Sequence, residues 1–207
     1  NIQLSGANLK VIAITSAVAN EGKSSIAFRL TKSLAGLKKR TLYLDCDIRN
    51  SVTMSRYGMS GQVQGLTEYL CGAAAMNDIV YRTPDKYMDV ILTGAVAPNP
   101  SELVSGKLFT LLLDEMRKRY DYIIVDTPPI NPVIDGTMIA KRCDGTVMVI
   151  ESGLTDRMQA VRAKRQLEYA GIKLLGAVLN KVGAAKKGYG YGYGYGYGYG
   201  YGYGYGY

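Results

Sequence analysis

The 207-residue chain contains no histidine and no tryptophan, only two phenylalanines, and three cysteines. Without histidine, imidazole acid–base chemistry and the commonest zinc ligand are excluded. Cys46, Cys71 and Cys143 stand far apart with no C-x-x-C pair, which argues against a disulfide framework or a thiolate metal site and fits a reducing cytoplasm. No apolar run approaches the roughly 18 residues that a membrane-spanning helix needs, and no secretory leader opens the chain. The first residue is Asn1 rather than Met, so a fragment is expected, with any membrane anchor upstream.

Charge is missing altogether from residues 188–207, a strict Gly-Tyr alternation holding ten of the eighteen tyrosines. The formal charge of +8 therefore belongs to residues 1–187. Such a tail can be read as a silk-like strand, a sticky low-complexity segment or a base-stacking surface. Glycine weakens a strand, and the tail has no cation to hold a nucleic-acid backbone, so it is expected to be disordered alone and to dock on a neighbouring subunit. Lys38-Lys39-Arg40, Arg117-Lys118-Arg119 and Arg162 to Arg165 read as solvated helix ends or faces. No nucleic-acid partner is expected.

Residues 1–187 are enough for one domain with a sizeable core. Short β-branched runs at Val11 to Thr15, Thr41 to Asp45, Met88 to Leu92, Tyr122 to Asp126, Gly145 to Ile150 and Leu174 to Leu179 alternate with helical patterns. This order predicts an α/β fold, a mostly parallel sheet with helices on both faces. One helical stripe carries Ile26, Ala27, Leu30, Leu34 and Leu37, another Leu108, Leu111, Leu112 and Met116, and both read as core. A third helix is expected from a cap at Thr155-Asp156 to Gly171. The polar stretch from Asn50 to Gln64 reads as a mobile loop near the site.

The run Ala17-Val18-Ala19-Asn20-Glu21-Gly22-Lys23-Ser24-Ser25 fits the relaxed phosphate-loop pattern, with Ala in place of the usual first Gly. It follows an apolar strand and opens an amphipathic helix, the context the pattern requires. Gly22 allows close backbone approach, successive N–H groups face the phosphates of ATP, Lys23 reaches the terminal phosphates and Ser24 can ligate Mg²⁺. Asp45 and Asp47 lie at and just beyond the end of one strand, and Asp126 ends another. In an open α/β sheet ligands bind at that edge, so the three acids can converge on Mg²⁺ and on the attacking nucleophile. A tyrosine hydroxyl needs a carboxylate to position it and take its proton, while charge on the transferring phosphoryl needs cations.

The ANEGKSS run, the LDCDIR element, the Asn99-Pro100-Ser101-Glu102-Leu103 stretch, the YDYIIVDTPP strand and the tyrosine tail together resemble the catalytic domain of a bacterial tyrosine kinase (BY-kinase) of the capsule and exopolysaccharide type. The resemblance covers essentially the whole chain, as a P-loop kinase domain at 1–187 and an acceptor cluster at 188–207. It implies a non-specific, ATP-dependent protein-tyrosine kinase with Lys23 and Ser24 at phosphates and Mg²⁺, Asp45 and Asp47 at the metal and acceptor, and Asp126 near Mg²⁺. It also implies autophosphorylation of Tyr189, Tyr191, Tyr193, Tyr195, Tyr197, Tyr199, Tyr201, Tyr203, Tyr205 and Tyr207 between subunits of a ring. Control of polysaccharide polymerisation and export, a membrane-embedded activator, an opposing tyrosine phosphatase and a place at the cytoplasmic face of the cell membrane come with it. Two features differ from the family pattern: no E-x-x-R-x-x-R element precedes the first strand, and the tail is more regular than the usual tyrosine cluster.

Other readings stay open at this point. A partition or division-site ATPase switch carries a second lysine early in the phosphate loop, where this chain has Val18. A GTPase would use Asn180-Lys181 with an Asp two residues on, and that position is Gly183. Asn180 instead suits either an adenine contact or a structural hydrogen bond at a strand end. A non-enzymatic scaffold that binds ATP only to assemble would have no use for three intact aspartates.

Overall fold

The computed structural model describes residues 9–49, 63–131 and 133–183. The tail, and all but the last two residues of the polar 50–64 stretch, lie outside the described residues.

The central strands are apolar and buried on both faces, which commits them to a covered parallel sheet. β1 (Val11–Ser16), β2 (Thr41–Asp45) and β5 (Tyr122–Asp126) form its centre, with β4 (Met88–Ile91) beside β2 and β6 (Gly145–Glu151) and β7 (Leu174–Asn180) beyond β1. The order is β3-β4-β2-β5-β1-β6-β7. Every pair is parallel except the two-residue edge strand β3 (Tyr81–Arg82), which runs antiparallel to β4. Sequence periodicity does not reach β3, because two residues carry no alternation.

Side chains alternate between two cores. Val11, Leu42, Leu44, Ile123 and Val125 pack on one face with α4 (Lys107–Arg119) through Phe109, Leu112, Leu113 and Met116. Ile12, Ile14, Tyr43 and Ile124 pack on the other with α1 (Lys23–Gly36) through Ala27 and Ala35. A smaller cluster around Ala13 and Met148 takes Ala163 and Leu167 from α6 (Arg157–Tyr169), whose N-cap Asp156 accepts a hydrogen bond from Met158 N at 2.9 Å. Three residues read as core are exposed instead: Leu37, Leu108 and Leu111. Leu37 falls just past the end of α1. On α4 the buried face is the i, i+3, i+4, i+7 set from Phe109, which turns Leu108 and Leu111 outward.

Short helices that the sequence reading did not place are α2 (Leu66–Leu70), α3 (Pro100–Ser105) and α5 (Asp135–Ala140). At the opposite edge from the phosphate loop, Arg117 is half-buried rather than solvated. It makes a bidentate pair with Asp144 at 2.8 and 2.7 Å, and the same carboxylate accepts the Lys10 and Val11 N–H groups, clamping the start of β1.

Candidate active site

Parallel pairing puts the C-terminal ends of β1, β2 and β5 side by side. Asp45 stands in register with Asp126, and Asp126 with Ile14. The phosphate loop leaves β1 two residues beyond Ile14, so it arches over both acids. Gly22 closes the loop at φ 91°, a left-handed conformation that only glycine adopts without strain. A Cβ there would also fall inside van der Waals contact of Asn180 Nδ2.

Glu21 ties the loop to the sheet. Its carboxylate accepts the Val18 N–H at 2.8 Å, the Glu151 N–H at 3.3 Å and the Thr155 hydroxyl. Its carbonyl accepts Asn180 Nδ2 at 2.9 Å, and Lys181 bridges Asn20 O and the Glu151 carboxylate. These bonds fix the loop against the ends of β6 and β7. Asn180 thus makes the strand-end hydrogen bond that the sequence allowed, and it also lines the cleft described next.

A cleft of about 640 Å³ opens over the loop, walled by Lys23, Ser24 and Arg29 of α1, by Asp47 and Arg49 beyond β2, by Pro128 and Pro129 beyond β5, and by Asn180 and Lys181. Lys23 Nζ donates to Asp47 Oδ2 at 2.8 Å, both side chains largely buried. The Asp47 N–H in turn donates to Asp45 Oδ1 at 3.1 Å. Desolvation works against the Lys23 charge, but Asp126, Asp47 and Asp45 overcome it and hold the ammonium above the usual lysine range. Asp126 is fully buried, and desolvation together with the neighbouring Asp45 pushes its carboxyl up to about 7, with Lys23 acting in the opposite direction.

Tyr43 donates its hydroxyl to Asp126 Oδ2 at 3.0 Å, while Asp126 Oδ1 is buried with no close hydrogen bond and the Ser24 hydroxyl lies near the carboxylate. That orphaned oxygen is a test of fit for Mg²⁺. Among the described residues no three acidic or thiol side chains form a ready-made cage. Mg²⁺ takes one or two carboxylates and completes its octahedron with phosphate oxygens and water, so an unused carboxylate oxygen near the Ser24 hydroxyl suits it.

The sequence-predicted residues Ala17 to Ser25, Asp45, Asp47, Asp126 and Asn180 are brought together at one sheet edge. The ten tail tyrosines lie outside the described residues. Sequence reasoning missed Tyr43, which reads simply as a core position of β2, and Arg49, which closes the LDCDIR run. It also missed Glu21 as the loop's anchor, reading it only as one of the phosphate-loop residues.

A family model described as an AAA domain matches residues 9–154. Tyrosine-protein kinase CpsD of Streptococcus agalactiae is 41% identical over 189 residues, covering 91% of this chain and 82% of that protein. Tyrosine-protein kinase YwqD of Bacillus subtilis is 38% identical, covering 83% and 72%. Among solved structures, the kinase domain of Escherichia coli tyrosine kinase ETK superposes with a TM-score of 0.84 at 31% identity, covering 92% of this chain and 74% of that one. The cell-division ATPase MinD of Pyrococcus furiosus shares the fold alone, at TM-score 0.73 and 21% identity over 85% of this chain and 73% of that one. The phosphate loop, the three strand-end aspartates and these kinase relatives agree: the chain belongs to the bacterial tyrosine-protein kinase family.

Proposed function

We propose that this chain transfers the terminal phosphoryl group of ATP to tyrosine hydroxyls of its own tail, Tyr189 to Tyr207, between subunits of a ring-like homo-oligomer. The observation that carries this reading is the buried Lys23–Asp47 pair at the mouth of the phosphate loop, with Asp45 and Asp126 at the adjoining strand ends. A lysine held by aspartates in this way is poised to exchange a carboxylate for phosphate oxygens. The exchange frees Asp47 to receive the acceptor.

In this reading the N–H groups of Ala19 to Ser25 cradle the phosphates, and Lys23 neutralises the charge that develops on the phosphoryl in transit. Asp45 and Asp47 orient the tyrosine hydroxyl and take its proton. Ser24, Asp45 and Asp126 would hold Mg²⁺, which would supply charge neutralisation at the phosphates. Asn180, its amide nitrogen already bonded to Glu21, offers its oxygen to adenine's exocyclic amine.

Residues 1–187 form the catalytic domain and 188–207 the acceptor segment. The kinase works at the cytoplasmic face of the cell membrane with a membrane-embedded activator, and a tyrosine phosphatase reverses it. The cycle regulates polymerisation and export of a capsular or exopolysaccharide. Among the described residues no helix is long and apolar enough to cross a membrane.

A mixing experiment tests the reaction. A chain truncated after Lys187 supplies the active site and a Lys23→Met chain supplies the tyrosines. Phosphotyrosine is expected on the Lys23→Met chain, at an initial rate that rises with enzyme concentration. No labelling in the mixture, while the intact protein labels itself at a rate per molecule independent of dilution, would place transfer within one chain. No labelling by the intact protein with ATP and Mg²⁺ would remove the kinase reading itself.

A further inference from the structure

The Asn99 to Leu103 stretch carries part of the family resemblance but has no role in the phosphoryl transfer as proposed. Its Ser101 lies in the first turn of α3 and donates a hydrogen bond to Asp135 Oδ1 at the start of α5. The other oxygen of Asp135 accepts Arg49 Nε, and Arg49 Nη2 lies 3.4 Å from Ser101 Oγ. Asp135 is only 1% exposed. The Arg49 side chain is 42% exposed and forms part of the cleft wall, two residues beyond Asp47.

Three segments separated by 34 to 86 positions thus converge on one guanidinium. A buried carboxylate is costly unless paired and hydrogen-bonded, and here its two partners are Arg49 and Ser101. The arginine gains a fixed orientation in return. Two of its five N–H donors meet the clamp, and the planar fork is suited to binding phosphoryl oxygens with others. A simple brace between β2 and the two short helices would not need its cation to reach the cleft that holds Lys23.

We infer that Arg49 is a further catalytic residue, its guanidinium taking an oxygen of the phosphoryl group in transit on the acceptor side of Lys23, with Asp135 and Ser101 as positioning residues. The inference rests on the kinase reading above. In the step it serves, the tyrosine oxygen forms a bond to the γ-phosphorus and the bond from that phosphorus to the β,γ-bridging oxygen breaks. The phenolic proton passes to an aspartate and ADP leaves. Arg49 gives up no proton and contributes charge and geometry only.

The assay uses the full chain and a synthetic peptide of residues 188–207 as acceptor. Arg49→Ala is expected to lower kcat about 10²- to 10³-fold, with the Kd of a non-hydrolysable ATP analogue changed less than about threefold, because the contact strengthens as charge develops. Added guanidinium ion should restore part of kcat to Arg49→Ala and nothing to Ser101→Ala. Arg49→Lys should rescue little, since an ammonium cannot hold the Asp135 contact and the phosphoryl together. Ser101→Ala should lower kcat alone about three- to thirtyfold and have no effect in the Arg49→Ala background. Wild-type kcat in Arg49→Ala, or an equal Ser101→Ala loss in both backgrounds, would overturn the inference while leaving the kinase reading intact. Should wild type label no tyrosine, the kinase reading fails first, so the two failures are distinguishable.

Discussion

Replacing Gly22 by alanine separates the two demands that the phosphate loop makes on that position. A non-glycine residue held in the left-handed region costs about 1–2 kcal/mol, and Gly22 sits at φ 91°. The added Cβ also collides with Asn180 Nδ2, so the bond from that nitrogen to Glu21 O must break, a further loss of about 1 kcal/mol. The sum, about 2–3 kcal/mol, predicts a fall in Tm of about 4–12 °C for a domain of this size. ATP affinity should fall at least about tenfold, because the N–H groups around Gly22 lose the arrangement that receives phosphates. The two parts can be pulled apart. In an Asn180→Ala background there is no amide to strike and no bond left to break, so adding Gly22→Ala should cost only the backbone part, about half to two-thirds of the original penalty. Calorimetry on the four proteins and titration with a non-hydrolysable ATP analogue measure both quantities. A Gly22→Ala protein that melts within about a degree of wild type, or a penalty undiminished by Asn180→Ala, would refute the reasoning.

The remaining expectations concern the aspartates and the tail. Asp45→Asn should lower kcat far more than it weakens ATP binding, since orienting acceptor and metal matters most as charge develops; a matched loss in both would make Asp45 a binding residue and shift the proton-accepting role to Asp47. The folded protein holds the Asp126 proton up to about pH 7, whereas the unfolded chain releases it near 4. The folded state therefore binds more protons between those values, and stability without nucleotide or Mg²⁺ should fall by a few kcal/mol as pH rises from about 4 to 7. Asp126→Asn should flatten that part of a urea-denaturation pH profile, and an unchanged slope would mean that Asp126 ionises normally in the fold. Each phosphotyrosine adds about −1.5 to −2, so five would offset the +8 of the catalytic domain. Heavy phosphorylation should then dissociate the proposed oligomer, and equal masses by light scattering before and after modification, on protein carrying its upstream segment, would contradict it.

How much of this was legible follows from what periodicity can carry. Six strands were read within a residue or so at each end, because runs such as Tyr122–Asp126 are apolar on both faces and end abruptly at a carboxylate or turn. The long helices followed from 3.6-residue spacing, and Asp156 at the start of α6 does cap as its residue type implies. The direction of a helix face was harder. In the run Leu108 to Leu113 five of six residues are apolar, so spacing alone does not say whether Phe109 or Leu108 leads the buried stripe. Packing against Val125 and its neighbours decides for Phe109. Helices of five or six residues, such as α2, α3 and α5, span too few turns to show any period.

The site divides along a different line. Lys23, Asp45, Asp47 and Asp126 were legible because each occupies a fixed offset from a strand end, and parallel register turns equal offsets into proximity. Tyr43 and Asp135 have no such marker. Tyr43 alternates correctly for a core residue, and its hydroxyl matters only because β2 and β5 align it with Asp126. Asp135 heads a six-residue helix far from Arg49 in sequence, and a lone Asp in that position reads as an ordinary helix start. Local sequence thus specifies what must be near the end of a strand, while the partners that set charge and orientation come from register between distant strands. Asp126 shows the consequence. Its position was readable from the YIIVD run, but its proton affinity depends on complete burial, on Asp45 across the ladder and on Lys23 from the loop above, none of which adjoins it in sequence.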